Sequence, residues 1–240
     1  MNQGVSYITQ ATRILIPLKF KIMLPYQEQF IEFAIKTGVL RFGEFTLKSG
    51  RISPYFFNTG LFNSGASMLQ FSRFFATSIE HSDIKFDVLF GPAYKGITLS
   101  CAAAMALSEN TGKEVPFAFN RKEVKNHGEG GSMVGAKLEG EIAIIDDVIT
   151  AGTAIRESFA MIKATGANPC AVFLALDRQE RGQKDGEPTE TSAIQQVEAE
   201  FDIQVEAITT LSNLIDYLSQ QKDQAENLDK MQVYRAKYGI

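Results

Sequence analysis

The stretch EIAIIDDVITAGTA, residues 141–154, decides the fold class. An apolar run over residues 142–145 leads directly into two adjacent carboxylates, Asp146 and Asp147, and then through Val148 and Ile149 into the small residues Thr150, Ala151, Gly152, Thr153 and Ala154. A short β-branched run of this kind predicts a strand buried on both faces, the mark of a parallel sheet. Side-chain alternation sends Asp146 and Asp147 to opposite sides of the strand's carboxyl end. The loop then offers consecutive backbone N–H groups, the hydroxyls of Thr150 and Thr153, and Gly152 for close approach. A helix is predicted to begin there, and its N-terminus favours an anion. Carboxylates repel phosphate but accept hydrogen bonds from vicinal hydroxyls, so a ribose 5-phosphate fits both halves of the stretch. A turn at Asp147 with Thr150 and Thr153 capping the helix fits the same letters. The loop carries neither GxxxxGK[ST] nor GxGxxG, so neither an NTPase nor a dinucleotide enzyme is indicated.

Outward from this strand the pattern repeats. The apolar segments DVLF (87–90), PFAF (116–119), AVFLAL (171–176) and VEAIT (205–209) alternate with the helical segments 97–110, 154–166 and 192–201. Such alternation predicts an α/β domain, a parallel sheet with helices on both faces and ligand sites beyond the strands' carboxyl ends. Upstream, YQEQFIEFAIKTG (26–38) reads as a helix capped at Gly38, and GEFTLKSGRISPYFFN (43–58) as a two-stranded ribbon turning at Ser49 and Gly50. Residues 67–81 form a second helix, with Leu69, Phe71, Phe74, Phe75 and Ile79 as its core side. Two segments interrupt the rhythm and are expected to be long loops: 120–137, charged and Gly-rich, and 178–192, polar and turn-rich. The segment from Leu211 reads as helices closing the fold.

A chain of 240 residues with 45% hydrophobic content can bury a full core, and its net charge of −4 argues against a general nucleic-acid binder. No run is long enough for a membrane span. Cys101 and Cys170 have neither CxxC nor metal-ligand spacing and are expected to be reduced core residues of a cytosolic protein. An anionic ligand must therefore meet a local cationic cluster. Arg121, Lys122, Lys125 and His127, among Gly128, Gly130 and Gly131, supply one. The same residues in isolation also suit a solvated charged loop, and His81 reads as a surface residue. Arg178 follows a strand, and its planar fork suits a carboxylate. In DRQER it also suits a surface salt bridge, and Phe56 and Phe57 suit either a stacked base or the core.

RFGEFTLKSG (41–50), FGPAYKG (90–96), FNRKEVKNHGEGG (119–131), DDVITAGTA (146–154) and LDRQERG (176–182) stand in one order along the chain. From residue 23 onward the sequence resembles the bacterial orotate phosphoribosyltransferases of the type I phosphoribosyltransferase family. The resemblance implies that family's parallel-sheet fold, with a small N-terminal helix-and-ribbon hood in a single domain over 23–240. Residues 1–22 are expected to be an N-terminal extension or remnant. It further implies transfer of ribose 5-phosphate from phosphoribosyl pyrophosphate (PRPP) to orotate in pyrimidine nucleotide synthesis. The enzyme would be a cytoplasmic, Mg²⁺-dependent homodimer whose active sites are shared across the interface. The metal would ride mainly on PRPP and water.

By the same resemblance, Lys125 and His127 of a closing lid, with Arg121 and Lys122, meet the pyrophosphate. Tyr94 and Lys95 belong to the pyrophosphate loop, and Lys48 lies near the reacting centre. Asp146, Asp147, Val148, Ile149, Thr150, Ala151, Gly152, Thr153 and Ala154 hold the ribose 5-phosphate. Phe56, Phe57, Thr150 and Arg178 contact orotate. Two rival readings remain at this point: a different acceptor base, or a non-catalytic regulator that senses PRPP. The chain departs from the family pattern in its N-terminal arm and in a lengthened GQKDGEPTE loop (182–190).

Overall fold

The computed structural model describes residues 23–47, 49–125, 131–184 and 187–240. Lys48, His127 and residues 1–22 fall outside these, as do the side chains of Lys125 and Lys184. In chain order, the hood opens with α1 (Pro25–Lys36), β1 (Leu40–Thr46) and β2 (Ile52–Phe57). There follow α2 (Gly65–His81), β3 (Val88–Gly91), α3 (Lys95–Thr111), β4 (Phe117–Lys125), β5 (Gly131–Gly135), β6 (Glu141–Asp146) and α4 (Thr153–Ala164). The chain closes with β7 (Asn168–Asp177), β8 (Arg181–Lys184), β9 (Glu187–Ser192), α5 (Ala193–Phe201), β10 (Gln204–Thr210), α6 (Leu211–Ser219) and α7 (Ala225–Tyr238).

The central sheet has the order β10-β7-β6-β3-β4-β5, parallel throughout except for β5, which runs antiparallel to β4. Strand β6 lies in its middle, and its alternation separates two cores. Ala143 and Ile145 join Leu89, Phe173 and Ile208 under α2, α3 and the hood, whereas Ile142 and Ile144 join Phe90, Val172 and Leu174 under α4 and α5. Phe30, Phe71 and Phe75 are fully buried or nearly so on the hood side. Each contributes roughly 2–3 kcal/mol of apolar burial.

Segment 120–137 differs from expectation. Rather than a long loop, β4 continues through Lys125 and pairs with β5, matching Phe119 to Val134 and Asn120 to Met133. Charged residues suit this pair because it lies at the sheet edge, where side chains reach water while the backbone stays bonded. Segment 178–192 likewise contains a hairpin, β8 with β9. Leu69 is 46% exposed rather than core, because helical spacing puts it nearly opposite Phe71, on the side of α2 that carries exposed Arg73 and Glu80. Cys101 and Cys170 are free thiols but only half-buried. His81 is exposed, with Nδ1 2.8 Å from the Thr77 carbonyl oxygen.

Gly91 ends β3, where the chain turns sharply into α3. A Cβ built there would sit 1.9 Å from the Gly96 carbonyl oxygen and 2.6 Å from Ser100 Oγ. Backbone must move to admit it, so Gly91→Ala is expected to cost about 1–3 kcal/mol. Thermal unfolding checks this: a Tm at least about 3 °C lower is expected for a chain of this size.

Candidate active site

Asp146 and Asp147 leave β6 at the sheet's carboxyl edge and have different surroundings. Asp147 is buried, and its carboxylate is already occupied. Oδ2 accepts from Thr59 Oγ1 at 2.7 Å and from Lys95 Nζ at 2.5 Å, and Oδ1 accepts from the Val148 amide at 2.9 Å. Asp146 lies on the α4 side and lines a cavity of about 140 Å³ with the loop through Thr150, Gly152 and Thr153. Burial first, and then the neighbouring Asp147, push the Asp146 carboxyl up to about 6 from 3.8.

The same loop forms the cavity's anion-accepting wall. Gly152, at φ +75°, is the N-cap of α4, and no side chain caps the helix. Thr150 and Thr153 are exposed and do not fill the capping role their positions also suggest. The first-turn N–H groups of α4 therefore face the cavity unclaimed by a cap, an arrangement that attracts phosphate. A larger cleft of about 740 Å³ shares Val148, Ile149, Thr150 and Ala151 with this cavity and extends under the hood to Phe56, Phe57 and Arg178. A small cavity and a cleft several times its volume thus meet along one loop.

Phe56 and Phe57 are half-buried; Phe56 stacks on Phe45 with centroids 5.4 Å apart, and Phe57 meets Phe30 edge-on at 6.3 Å. Arg178 is largely buried, its Nε and Nη2 donating to Glu180 Oε1 at 3.0 and 2.7 Å. Burial opposes its charge, but Tyr55 and Glu180 more than offset this and hold the guanidinium protonated. Tyr94 is 71% exposed and follows a cis peptide with Ala93. The Ala93 amide donates to buried Asn120 Oδ1 at 2.8 Å, tying the FGPAYKG turn to β4. On β4, Arg121 is half-buried and Lys122 exposed. Lys125 ends β4, which lies between β3 and the edge strand β5.

The structure therefore brings Asp146, Val148, Ile149, Thr150, Ala151, Gly152, Thr153 and Ala154 to one cavity and Phe56, Phe57, Thr150 and Arg178 to the adjoining cleft. Lys95 and Asp147 form their own ion pair, while Lys48 and His127 lie outside the described residues. Sequence reasoning missed Thr59, Asn120, Arg51 and Glu180. Asn120 and Glu180 stand inside the quoted motifs, next to charged residues that drew the attention. Among the described residues, no group of three or more His, Cys, Asp and Glu has metal-holding geometry, and no helix is long and apolar enough to cross a membrane.

A family profile for the phosphoribosyl transferase domain matches residues 60–208, which defines the class of the fold and site just described. An orotate phosphoribosyltransferase of Thioalkalivibrio sulfidiphilus is 56% identical over 218 residues, 91% of this chain and all of that protein. The crystal structure of the orotate phosphoribosyltransferase of Francisella tularensis superposes with a TM-score of 0.80 at 45% identity, covering 88% of this chain and 100% of that one. A Mycobacterium tuberculosis orotate phosphoribosyltransferase in complex with PRPP shares the fold at 18% identity and a TM-score of 0.57, over 79% of this chain and 99% of that one. Within the phosphoribosyltransferases, this chain belongs to the orotate phosphoribosyltransferase family.

Proposed function

We propose that this chain transfers the ribose 5-phosphate group of PRPP to orotate, giving orotidine 5′-monophosphate and pyrophosphate in pyrimidine nucleotide synthesis. The observation that carries this reading is the single loop joining an acid-floored, amide-walled cavity to a cleft that ends at Arg178. The cavity takes the 5-phosphate on the N-terminus of α4, and ionised Asp146 accepts hydrogen bonds from the ribose hydroxyls. The cleft takes the base between Phe56, Phe57 and the Thr150 loop, with the carboxylate of orotate on Arg178.

As the C1–O bond to pyrophosphate breaks, positive charge develops on the ribose ring and negative charge on the leaving group. Asp146 stabilises the first, and its ion-paired neighbour Asp147 holds Lys95 at the edge of the site. Lys95, Arg121, Lys122, Lys125 and His127, with Lys48 near the reacting centre, meet the second. Asp146 and the oxygen-rich loop form a hard donor set, suited to Mg²⁺ bound chiefly through PRPP and water; when bound, the ion neutralises phosphate charge. We assign the segment between β4 and β5 as a lid that closes over PRPP and excludes water, reaching the site of a second copy in a cytoplasmic homodimer. Support comes from the strands that flank it, since β4 and β5 are the last two strands at one side of the sheet.

Orotate absorbs in the ultraviolet differently from its ribosylated product, so absorbance after mixing protein, PRPP, orotate and Mg²⁺ tests the reading. Loss of the orotate signal is expected; persistence of orotate with consumption of another base contradicts it. Lys125→Ala is expected to lower kcat about 10²- to 10³-fold while weakening PRPP binding less, as removal of a transition-state contact requires. Mixing this variant with Asp146→Asn should restore activity through hybrid dimers, whereas no recovery after subunit exchange would place Lys125 on its own subunit's site.

A further inference from the structure

Arg51 and Glu180, which form a buried charge cluster with Arg178 at the rim of the cleft, have no part in the reading above. Arg51, Arg178 and Glu180 have side chains 7%, 14% and 11% exposed. Glu180 Oε1 accepts from Arg178 Nε at 3.0 Å, from Arg178 Nη2 at 2.7 Å and from the Tyr55 hydroxyl at 3.2 Å. Its Oε2 lies 3.7 Å from Arg51 Nη1. Arg51 is fixed in turn by the carbonyls of Arg181, at 2.9 Å, and Gly182, at 3.4 Å, and its guanidinium carbon lies 4.9 Å from the Tyr238 ring centroid. The guanidinium carbon of Arg178 lies 4.6 Å from the Tyr55 ring centroid.

Two consequences follow from arginine chemistry. A guanidinium offers two edges that each bind a carboxylate. Glu180 takes the Nε–Nη2 edge, so the Nη1–Nη2 edge is the one left to a ligand. Arg51 and Arg178 also share the single carboxylate of Glu180, so each guanidinium keeps hydrogen-bonding capacity that Glu180 does not use.

We propose that Glu180, held by Tyr55 and Arg51, is a positioning residue: it grips Arg178 side-on so that the remaining edge of the guanidinium meets the carboxylate of the acceptor base. This rests on the reading of the cleft as the orotate site. Without Glu180 the two guanidiniums repel and Arg178 leaves its fixed orientation. The added positive charge attracts orotate only a few-fold in a water-filled cleft, whereas losing an oriented two-point contact costs about tenfold or more.

Steady-state kinetics of the unaltered enzyme, Glu180→Gln, Arg178→Ala and the double variant test this. Glu180→Gln is expected to raise the orotate KM about tenfold and leave the PRPP KM within about twofold. A residue acting only through Arg178 has nothing further to lose once that arginine is gone, so the double variant should be no worse than Arg178→Ala alone. Multiplying effects, or a Glu180→Gln variant that binds orotate equally well or more tightly, would overturn the proposal; the tighter case would make Glu180 a mask over Arg178. Should Glu180→Gln not fold, Tyr55→Phe removes one donor from Oε1 and is expected to raise the orotate KM about two- to fivefold with the PRPP KM unchanged; equal changes in both would overturn the proposal. Failure of the unaltered enzyme to consume orotate at all sinks the reading of the cleft, and this inference with it.

Discussion

Asp146→Asn is expected to lower kcat/KM for PRPP by about 10²- to 10³-fold and, at the same time, to make the unliganded protein more stable at pH 7. Both effects have one cause. The Asp146 carboxyl is held up near 6, against 3.8 for the free group, because burial and Asp147 disfavour its charge. A carboxyl whose folded value exceeds its unfolded value favours the folded state below about 4, and that contribution is lost as pH rises through about 6. At pH 7 the ionised group is thus a net cost, on the order of 2 kcal/mol, that asparagine does not incur. Ribose hydroxyls donating to Asp146 favour the ionised form, so PRPP binding should release protons near pH 6 and weaken as pH falls below it. Thermal unfolding across pH 4–8, with calorimetry of PRPP binding in buffers of different ionisation enthalpy, checks both signs. A variant that is less stable at every pH would remove strain at Asp146 from the mechanism.

Arg178→Ala is expected to cause the other large effect, a rise of about 10²-fold in the orotate KM with the PRPP KM nearly unchanged. A buried two-point contact to a carboxylate is among the stronger polar interactions, and alanine removes all of it. It also takes from Glu180 its shortest contact, leaving it the Tyr55 hydroxyl and the more distant Arg51, so some loss of stability accompanies the kinetic effect. A KM split between the two substrates separates these causes, since a general loosening would raise both. Equal rises for orotate and PRPP would argue against Arg178 as the carboxylate contact.

The parallel core was legible because its strands are short apolar runs. Residues 142–145 and 171–176 could hardly be anything but buried, and the alternation with helices then dictated the sheet. The family relationship was legible too, in motifs dense enough to fix the chain's class. The β4–β5 hairpin was hidden, since β4 pairs with β3 only over residues 117–119 and beyond them has only β5 beside it, which leaves it free to carry Arg121, Lys122 and Lys125. The division of labour between Asp146 and Asp147 was hidden for another reason. Strand alternation separates the two side chains, but the contacts to Asp147 come from Thr59 and Lys95, 88 and 52 residues away. Glu180 escaped notice because a carboxylate in DRQER reads as surface charge until Arg51 and Tyr55, brought over by the hood, enclose it.

The most direct measurement is a crystal structure with orotidine 5′-monophosphate bound. Its phosphate should lie on the N-terminus of α4 between Thr150 and Ala154, its ribose hydroxyls should reach Asp146, and its base carboxylate should meet Arg178. A nucleotide bound with its phosphate away from that loop, or with its carboxylate turned from Arg178 toward solvent, would contradict the proposed site.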